Sequence, residues 1–189
     1  MNLKKQITFI GILVLATFVL PLQARNYQDD LGLSKPSFPI NIKVRAQLDY
    51  IEIFGGEGSV IEILGGRKFN LASLKQKIVF MNFWALWCRP CLAEMAQLQG
   101  LYDKLKSNKN IEFMFISDDD PQKVEQFRKT KNLTLPFYTI KELPVSSIPT
   151  TFIFAPGGKV VFAYASAMAW DCQESVDFLK KLENPKNYS

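Results

Sequence analysis

The residues best suited to chemistry are two cysteines in the segment 87–91, Trp-Cys-Arg-Pro-Cys. Cys88 and Cys91 are three positions apart, so on one helical turn they adjoin and can close a small disulfide. A buried strand is predicted at 78–84 and a helix after the pair, which places Cys88 at a helix N-terminus. There, unpaired backbone N–H groups and the helix dipole stabilise a thiolate. This placement favours a redox-active pair over the two alternatives, a structural disulfide and inert thiols.

The composition excludes most other chemistry at this motif. The 189-residue chain contains no His and three Cys, so it can form neither a His-containing metal site nor a four-thiolate zinc site. It also lacks the imidazole that Ser-His or Cys-His catalysis requires. We therefore expect no metal and no cofactor. The net charge is +5 without a dense Lys/Arg stretch, which indicates no nucleic-acid partner.

Three further residues near the cysteines have types that suit thiol chemistry. Arg89 adds positive charge beside Cys88, and Pro90 fits a first helical turn, where its missing N–H costs little. Glu94 is three residues after Cys91 on the same predicted helix face. From the residues alone, Glu94 is equally a proton carrier for Cys91 and a solvated first-turn carboxylate favoured by the helix dipole.

The elements around the motif follow an α/β pattern. Continuous apolar runs at 78–84 and 111–117 predict central strands covered on both faces. Between them, apolar residues at three- to four-residue intervals predict a helix. Two strands at 150–155 and 160–164 flank a Pro-Gly-Gly turn and predict an antiparallel hairpin. We expect an α/β fold with one mixed sheet flanked by helices.

Acidic residues predict the starts of two other helices. Asp120 followed by Pro121 fits an N-cap and the first helical position. The run 118–120 is triply acidic but lacks the further ligands of a Ca²⁺ or Mg²⁺ site, so capping is the favoured interpretation. Asp171 and Glu174 have the spacing of a capping box for the last helix.

The first 24 residues have the order of a signal peptide. Lys4 and Lys5 precede an uncharged apolar run at 7–20, and Ala24 suits the position before a cleavage site. The run is shorter than the roughly 20 residues that span a bilayer, so we expect cleavage and export to the periplasm or another extracytoplasmic compartment. The alternative is an uncleaved membrane anchor formed by residues 6–24, which also exports the domain.

The polar segment 25–39 is predicted to be a linker, and residues 40–189 to be one domain with an N-terminal β extension at 40–66. Residues 40–50 alternate apolar and polar types, which predicts a half-buried strand. The similar segments 51–56 and 61–66 each end in a Gly pair and predict a hairpin or a small meander.

The motifs together resemble the thioredoxin superfamily, and within it the exported TlpA/ResA-type thiol-disulfide oxidoreductases. The resemblance rests on FWALWCRPC at 83–91 with Glu94, on SIPTTF at 147–152, and on NLASLK at 70–75. It covers about residues 60–183. It implies a thioredoxin-like mixed sheet flanked by helices, with an N-terminal β-hairpin extension.

The resemblance also implies a role for each matching residue. Cys88 would be the attacking thiolate, Cys91 the resolving thiol and Glu94 the acid that moves protons for the buried thiol. Pro149 would be a cis-proline beside the disulfide, and the backbone of Ile148 would pair with an extended client peptide.

Other positions border this site or depart from the family pattern. Trp87, Arg89 and Pro90 are expected to contact the substrate. Asn82 stands where many thioredoxins have Asp, so it cannot itself take up the proton, which makes Glu94 more important. Cys172 is expected to be a semi-buried bystander.

The implied function is extracytoplasmic thiol-disulfide exchange that reduces disulfides of exported client proteins, apocytochrome c among them. Such a protein takes electrons from a membrane thiol-disulfide donor, and we expect it to act as a monomer. Two alternatives stay open: a disulfide-forming oxidase or isomerase, and a non-catalytic thioredoxin-like binding module whose cysteines only lock the fold.

Overall fold

The computed structural model describes residues 32–38, 60–63 and 67–188. The strands are β1 (Val60–Ile63), β2 (Arg67–Asn70), β3 (Ile78–Phe83), β4 (Ile111–Ser117), β5 (Phe137–Thr139), β6 (Thr150–Phe154) and β7 (Val160–Tyr164). The helices are α1 (Arg89–Leu105), α2 (Pro121–Thr130) and α3 (Gln173–Lys181), with 3₁₀ turns at Leu71–Leu74 and Pro185–Asn187.

The seven strands form one mixed sheet in the order β2-β1-β5-β4-β3-β6-β7. β3, β4 and β5 are parallel, whereas β6, β7 and the β1–β2 hairpin pair antiparallel to their neighbours. Parallel neighbours need a crossover connection, which α1 provides between β3 and β4, and α2 between β4 and β5. The predicted mixed sheet flanked by helices is therefore confirmed. The short strand β5 was not predicted from the sequence.

β3 is buried along its whole length and contributes to both faces of the sheet. Ile78 and Phe80 belong to one core cluster, which also contains the buried apolar residues of all three helices. Val79 and Met81 belong to a second cluster, to which Leu74 contributes from the first 3₁₀ turn. A strand covered on both faces reads as a continuous apolar run, which explains why this strand is so visible in the sequence.

The N-terminal extension differs from the expected one where the structure describes it. The hairpin pairs Val60–Ile63 with Arg67–Asn70, and β1 also pairs with β5 at the edge of the parallel strands. The predicted strand at 40–50 and the first Gly-paired segment, 51–56, lie outside the described residues, as do the predicted signal peptide and most of the linker. Within the described ranges, no helix has the length and apolar character to cross a membrane.

The two predicted helix starts have opposite outcomes. Asp120 caps α2, and its Oδ1 accepts hydrogen bonds from the N–H groups of Gln122 and Lys123. The capping box at Asp171 is wrong: Cys172 is the N-cap of α3 and its side chain makes no capping hydrogen bond. Asp171 instead faces α1, where its Oδ1 lies 2.6 Å from Nζ of Lys104, so a tertiary ion pair replaces the local cap.

Candidate functional site

Cys88 and Cys91 form a disulfide at the N-terminus of α1, with their Cα atoms 5.3 Å apart. Cys88 is the N-cap residue, and its Sγ accepts a hydrogen bond from the backbone N–H of Cys91 at 3.2 Å. Pro90 occupies the first turn of the helix, as its lack of an N–H favours. The N–H of Cys91 therefore points toward the sulfur of Cys88, where it would stabilise a thiolate after reduction.

The surface around the disulfide is unequally exposed. Cys91 is fully buried and Cys88 keeps 4% of its surface exposed, whereas the neighbouring Trp87 is 72% exposed. Arg89 and Pro90 are also exposed. A partner that reaches the disulfide from solvent thus meets Trp87, Arg89 and Pro90 first, and Cys88 before Cys91.

The loop between β3 and α1 is held in place by Asp119, which follows β4. Its Oδ2 accepts the backbone N–H of Leu86 at 2.6 Å and the hydroxyl of Ser117 at 2.7 Å. The sequence predicts only a helix cap for the acidic run at 118–120. Asp119 was missed because its partner, Leu86, is 33 positions away in the chain.

Glu94 is fully buried between α1, β3 and the segment before α3. Its Oε1 accepts a hydrogen bond from Nδ2 of Asn82, and its Oε2 accepts from the N–H of Met168 and from Nε1 of Trp170, each at 3.0 Å. The alternative of a solvated first-turn carboxylate is therefore wrong.

Burial changes the acidity of this carboxyl group. Removal from water penalises the charged form and raises the pKa of Glu94 from 4.5 to about 7, although the hydrogen bonds from Met168, Asn82 and Trp170 each lower it. A carboxyl group with this pKa exchanges protons near neutral pH, which a chain without His can otherwise do only with difficulty.

Two of the residues that are expected to contact a client line the same cavity. Trp87 and Ile148 line one open cavity of about 300 Å³, whose other lining residues are Asp118, Glu142, Leu143, Val145, Ser146 and Ser147. The Ile148–Pro149 peptide bond is cis, and Pro149 is buried. Neither Arg89 nor Pro90 lines this cavity.

Two contacts of the site had no visible signal in the sequence. Trp170 is buried completely and contacts Glu94 from 76 positions away. Thr151 is the cross-strand partner of Asn82, and its Oγ1 accepts from Nδ2 of Asn82 at 2.9 Å. Contacts between residues so far apart in the sequence can be identified only from the folded structure.

Cys172 is buried outside the disulfide pair, with its Sγ 3.2 Å from Oγ of Ser175. In the part of the chain that the structure describes, no three His, Cys, Asp or Glu side chains are grouped as metal ligands. The disulfide between Cys88 and Cys91 at the N-terminus of α1 is an arrangement that supports thiol chemistry.

Comparison with known proteins places this site in a family. The sequence model described as the AhpC/TSA family matches residues 61–163. A thiol-disulfide oxidoreductase ResA from Bacillus cereus (strain ZK / E33L) is 37% identical over 109 residues, which cover 54% of this chain and 62% of the relative. The chain thus matches less than two thirds of that relative's length.

Two further comparisons cover more of the known protein. The ResA thiol-disulfide oxidoreductase of Bacillus subtilis (strain 168) is 32% identical over 136 residues, or 63% of this chain and 75% of the relative. A crystal structure of a thiol:disulfide interchange protein of the thioredoxin family, from Chlorobium tepidum TLS, superposes with a TM-score of 0.54. That comparison has 22% identity and covers 64% of this chain and 91% of that one, which shows a shared thioredoxin-like fold.

Proposed function

Because the chain belongs to the AhpC/TSA family and has a thioredoxin-like fold, we propose that it is a thiol-disulfide oxidoreductase that works through Cys88 and Cys91. One observation carries the proposal: the two cysteines are bonded at the N-terminus of α1 beside the exposed Trp87, and the buried Glu94 follows Cys91 by three residues on the same helix. A purely structural disulfide does not require either neighbour.

The reaction proceeds by two thiol-disulfide exchanges. In the reduced protein, the Cys88 thiolate attacks one sulfur of a client disulfide, which forms a mixed disulfide and releases one client thiolate. The Cys91 thiol then loses its proton to the Glu94 carboxylate and attacks Sγ of Cys88. This step releases the second client thiolate and restores the Cys88–Cys91 disulfide. Two electrons pass from the protein to the client.

Three features of the site support these roles. Cys88 is the N-cap residue and the more exposed of the two cysteines, which suits the attacking thiolate. Cys91 is completely buried, so it meets only a partner that is already attached to Cys88. Glu94 follows Cys91 by three residues on α1, and burial brings its pKa to about 7.

For the client, the proposed contacts are Trp87, Ile148 and Pro149, with Arg89 and Pro90 at the rim. An extended peptide beside the disulfide would pair with the backbone of Ile148 while an apolar side chain rests on Trp87. The cavity that these two residues share, about 300 Å³ in volume, has room for such a side chain.

The proposed direction is reduction, with exported disulfide-containing proteins such as apocytochrome c as clients and a membrane thiol-disulfide protein as electron donor. Export is supported by the signal-peptide pattern of residues 1–24. In this proposal the mature protein is a monomer outside the cytoplasm. Cell fractionation and N-terminal sequencing of the mature protein test cleavage after Ala24.

The first experiment is dithiothreitol-driven reduction of insulin, with Cys88→Ser as control. Wild-type activity above that of the variant supports the enzyme, and equal rates would leave the non-catalytic binding module. The measured reduction potential then tests direction: a value near about −250 mV or lower supports a reductant, and one well above about −180 mV supports a disulfide-forming oxidase or isomerase.

Clients are identified by trapping. The Cys91→Ser variant should stop at the mixed disulfide, because the thiol that resolves it is absent. Expressed in the native host, it should accumulate disulfide-linked complexes through Cys88, which mass spectrometry identifies. The Cys88→Ser/Cys91→Ser double variant is the matched control and should retain none of them.

A further inference from the structure

The two carboxylate oxygens of Glu94 have different hydrogen-bond partners. Oε2 receives two N–H donors, the backbone of Met168 and the indole of Trp170, each at 3.0 Å. Neither group can accept a hydrogen bond. Oε1 receives a single donor, Nδ2 of Asn82 at 3.0 Å. Protonated Oε2 would point an O–H toward two N–H groups, so a proton on Glu94 must lie on Oε1, the oxygen that is bonded to Asn82.

Asn82 has an unused acceptor next to this position. Its Oδ1 is buried and has no hydrogen-bond partner among the described residues, whereas both hydrogens of Nδ2 have partners, Glu94 and Thr151. Buried polar atoms without partners are rare in proteins, because each costs free energy. An unused carboxamide oxygen beside a group that gains and loses a proton therefore needs an explanation.

Half a turn about the Cβ–Cγ bond exchanges Oδ1 and Nδ2 of Asn82. After that turn, Oδ1 faces both Glu94 and Thr151. The hydroxyl of Thr151 can either accept or donate a hydrogen bond, so it follows the turn without losing its contact. In each orientation the amide makes two hydrogen bonds and leaves one polar atom unpaired.

The geometry points to Asn82 as a positioning residue that holds Glu94 in both protonation states by turning its side-chain amide. When Glu94 is ionised, Asn82 donates from Nδ2 to Oε1. When Glu94 is protonated, Oε1 donates its proton to Oδ1 of Asn82, and Thr151 donates to the same oxygen. This inference rests on the proposed function, in which Glu94 takes up the proton of Cys91.

Among the groups that face Glu94 from the neighbouring elements, only Asn82 can bond to both protonation states of the carboxyl group. β3 contributes the amide of Asn82, and the segment before α3 contributes the N–H groups of Met168 and Trp170. On α1 itself, Cys91 is one turn earlier and is held in the disulfide. Asp171, next to Trp170, is paired with Lys104. Of the three groups bonded to Glu94, Asn82 alone can both donate and accept.

A comparison of two variants tests the inference by nuclear magnetic resonance. The titration of the Glu94 carboxyl carbon is followed in the oxidised protein, in Trp170→Phe and in Asn82→Leu. Trp170→Phe removes a donor that serves only the ionised form, so it should raise the pKa of Glu94 by about 1. Asn82→Leu removes a donor from the ionised form and an acceptor from the protonated form, so it should raise the pKa by less than half as much.

An Asn82→Leu shift equal to that of Trp170→Phe would overturn the inference, because Asn82 would then be a donor only. If Asn82→Leu does not fold, the wild-type side-chain amide of Asn82 provides the answer. Its resonances should change with the pKa of Glu94, and resonances that stay constant across that titration would contradict the turn. Failure of insulin reduction would instead sink the proposed function and leave this pKa comparison unaffected.

Discussion

Trp170 donates its indole N–H to Oε2 of Glu94 over 3.0 Å, although 76 positions separate the two residues. Both side chains are completely buried. This bond joins the segment before α3 to the first two turns of α1, the helix that carries the disulfide. The carboxyl group nearest to the cysteines in sequence is thus also part of the protein core, so we expect its protonation to affect stability as well as the proposed chemistry.

The pKa of Glu94 makes the free energy of unfolding depend on pH. Because burial raises this pKa from 4.5 to about 7, the folded protein holds the proton more tightly than the unfolded chain. The contribution is fully present below about pH 4.5 and is lost as the pH rises through about 7. Relative to Glu94→Gln, the oxidised wild type should lose on the order of 3 kcal/mol across this window.

Urea unfolding at a series of pH values measures this loss. Glu142→Gln, which changes an exposed carboxyl group, is the matched control and should follow the wild-type profile. Parallel profiles of wild type and Glu94→Gln between pH 4.5 and 7 would show that Glu94 does not titrate in this range.

In the reduced protein, the pKa values of the two cysteine thiols should differ. The N-cap position, with the Cys91 N–H directed at its sulfur, should lower the pKa of Cys88 below the usual value of about 8.5. Complete burial should raise that of Cys91. Iodoacetamide alkylation of the reduced protein at different pH values, read by mass spectrometry, gives both midpoints.

Glu94→Gln should slow deprotonation of Cys91 at neutral pH and leave the Cys88 profile in place, because in the proposed mechanism only Cys91 transfers its proton to Glu94. A Cys88 midpoint at or above that of Cys91 would reverse the proposed order of attack and resolution.

The bond between Asp119 and Leu86 should matter for the loop that presents the disulfide. Asp119→Ala leaves the N–H of Leu86 and the hydroxyl of Ser117 without their acceptor. We expect a loss of about 1–2 kcal/mol in the free energy of unfolding and a lower rate of insulin reduction. Asp118→Ala, one position earlier and exposed, should stay within about 0.5 kcal/mol of wild type. Equal losses in the two variants would argue against a specific role for Asp119.

Trp87 is expected to serve client binding rather than stability. With 72% of its surface exposed, Trp87→Ala should change the free energy of unfolding by less than about 0.5 kcal/mol, while KM for a peptide disulfide rises several-fold. Tyr164→Ala, at the other large exposed aromatic residue among those described, is the matched control and should leave KM unchanged. A KM unaffected by Trp87→Ala would remove this residue from the proposed client surface.

The parts of the fold that could be predicted are those with a local signal. β3 and β4 are buried on both faces and appear as continuous apolar runs, and the β6–β7 hairpin surrounds a Pro-Gly-Gly turn. The start of α2 follows from Asp120 and Pro121, which lie next to the N–H groups they serve. β5 escaped prediction because it is only three residues long, and the cap of α3 was misassigned because Asp171 is engaged by Lys104 instead.

The sequence by itself determined the reactive pair and its place at a helix N-terminus, because Cys88, Pro90 and Cys91 act through backbone groups within one turn. Tertiary structure alone decided the state of Glu94. Whether that carboxyl group is solvated or buried depends on β3 and the segment around Trp170, which supply its hydrogen bonds from distant positions. The raised pKa of Glu94 follows from its removal from water, which occurs only when the chain is packed.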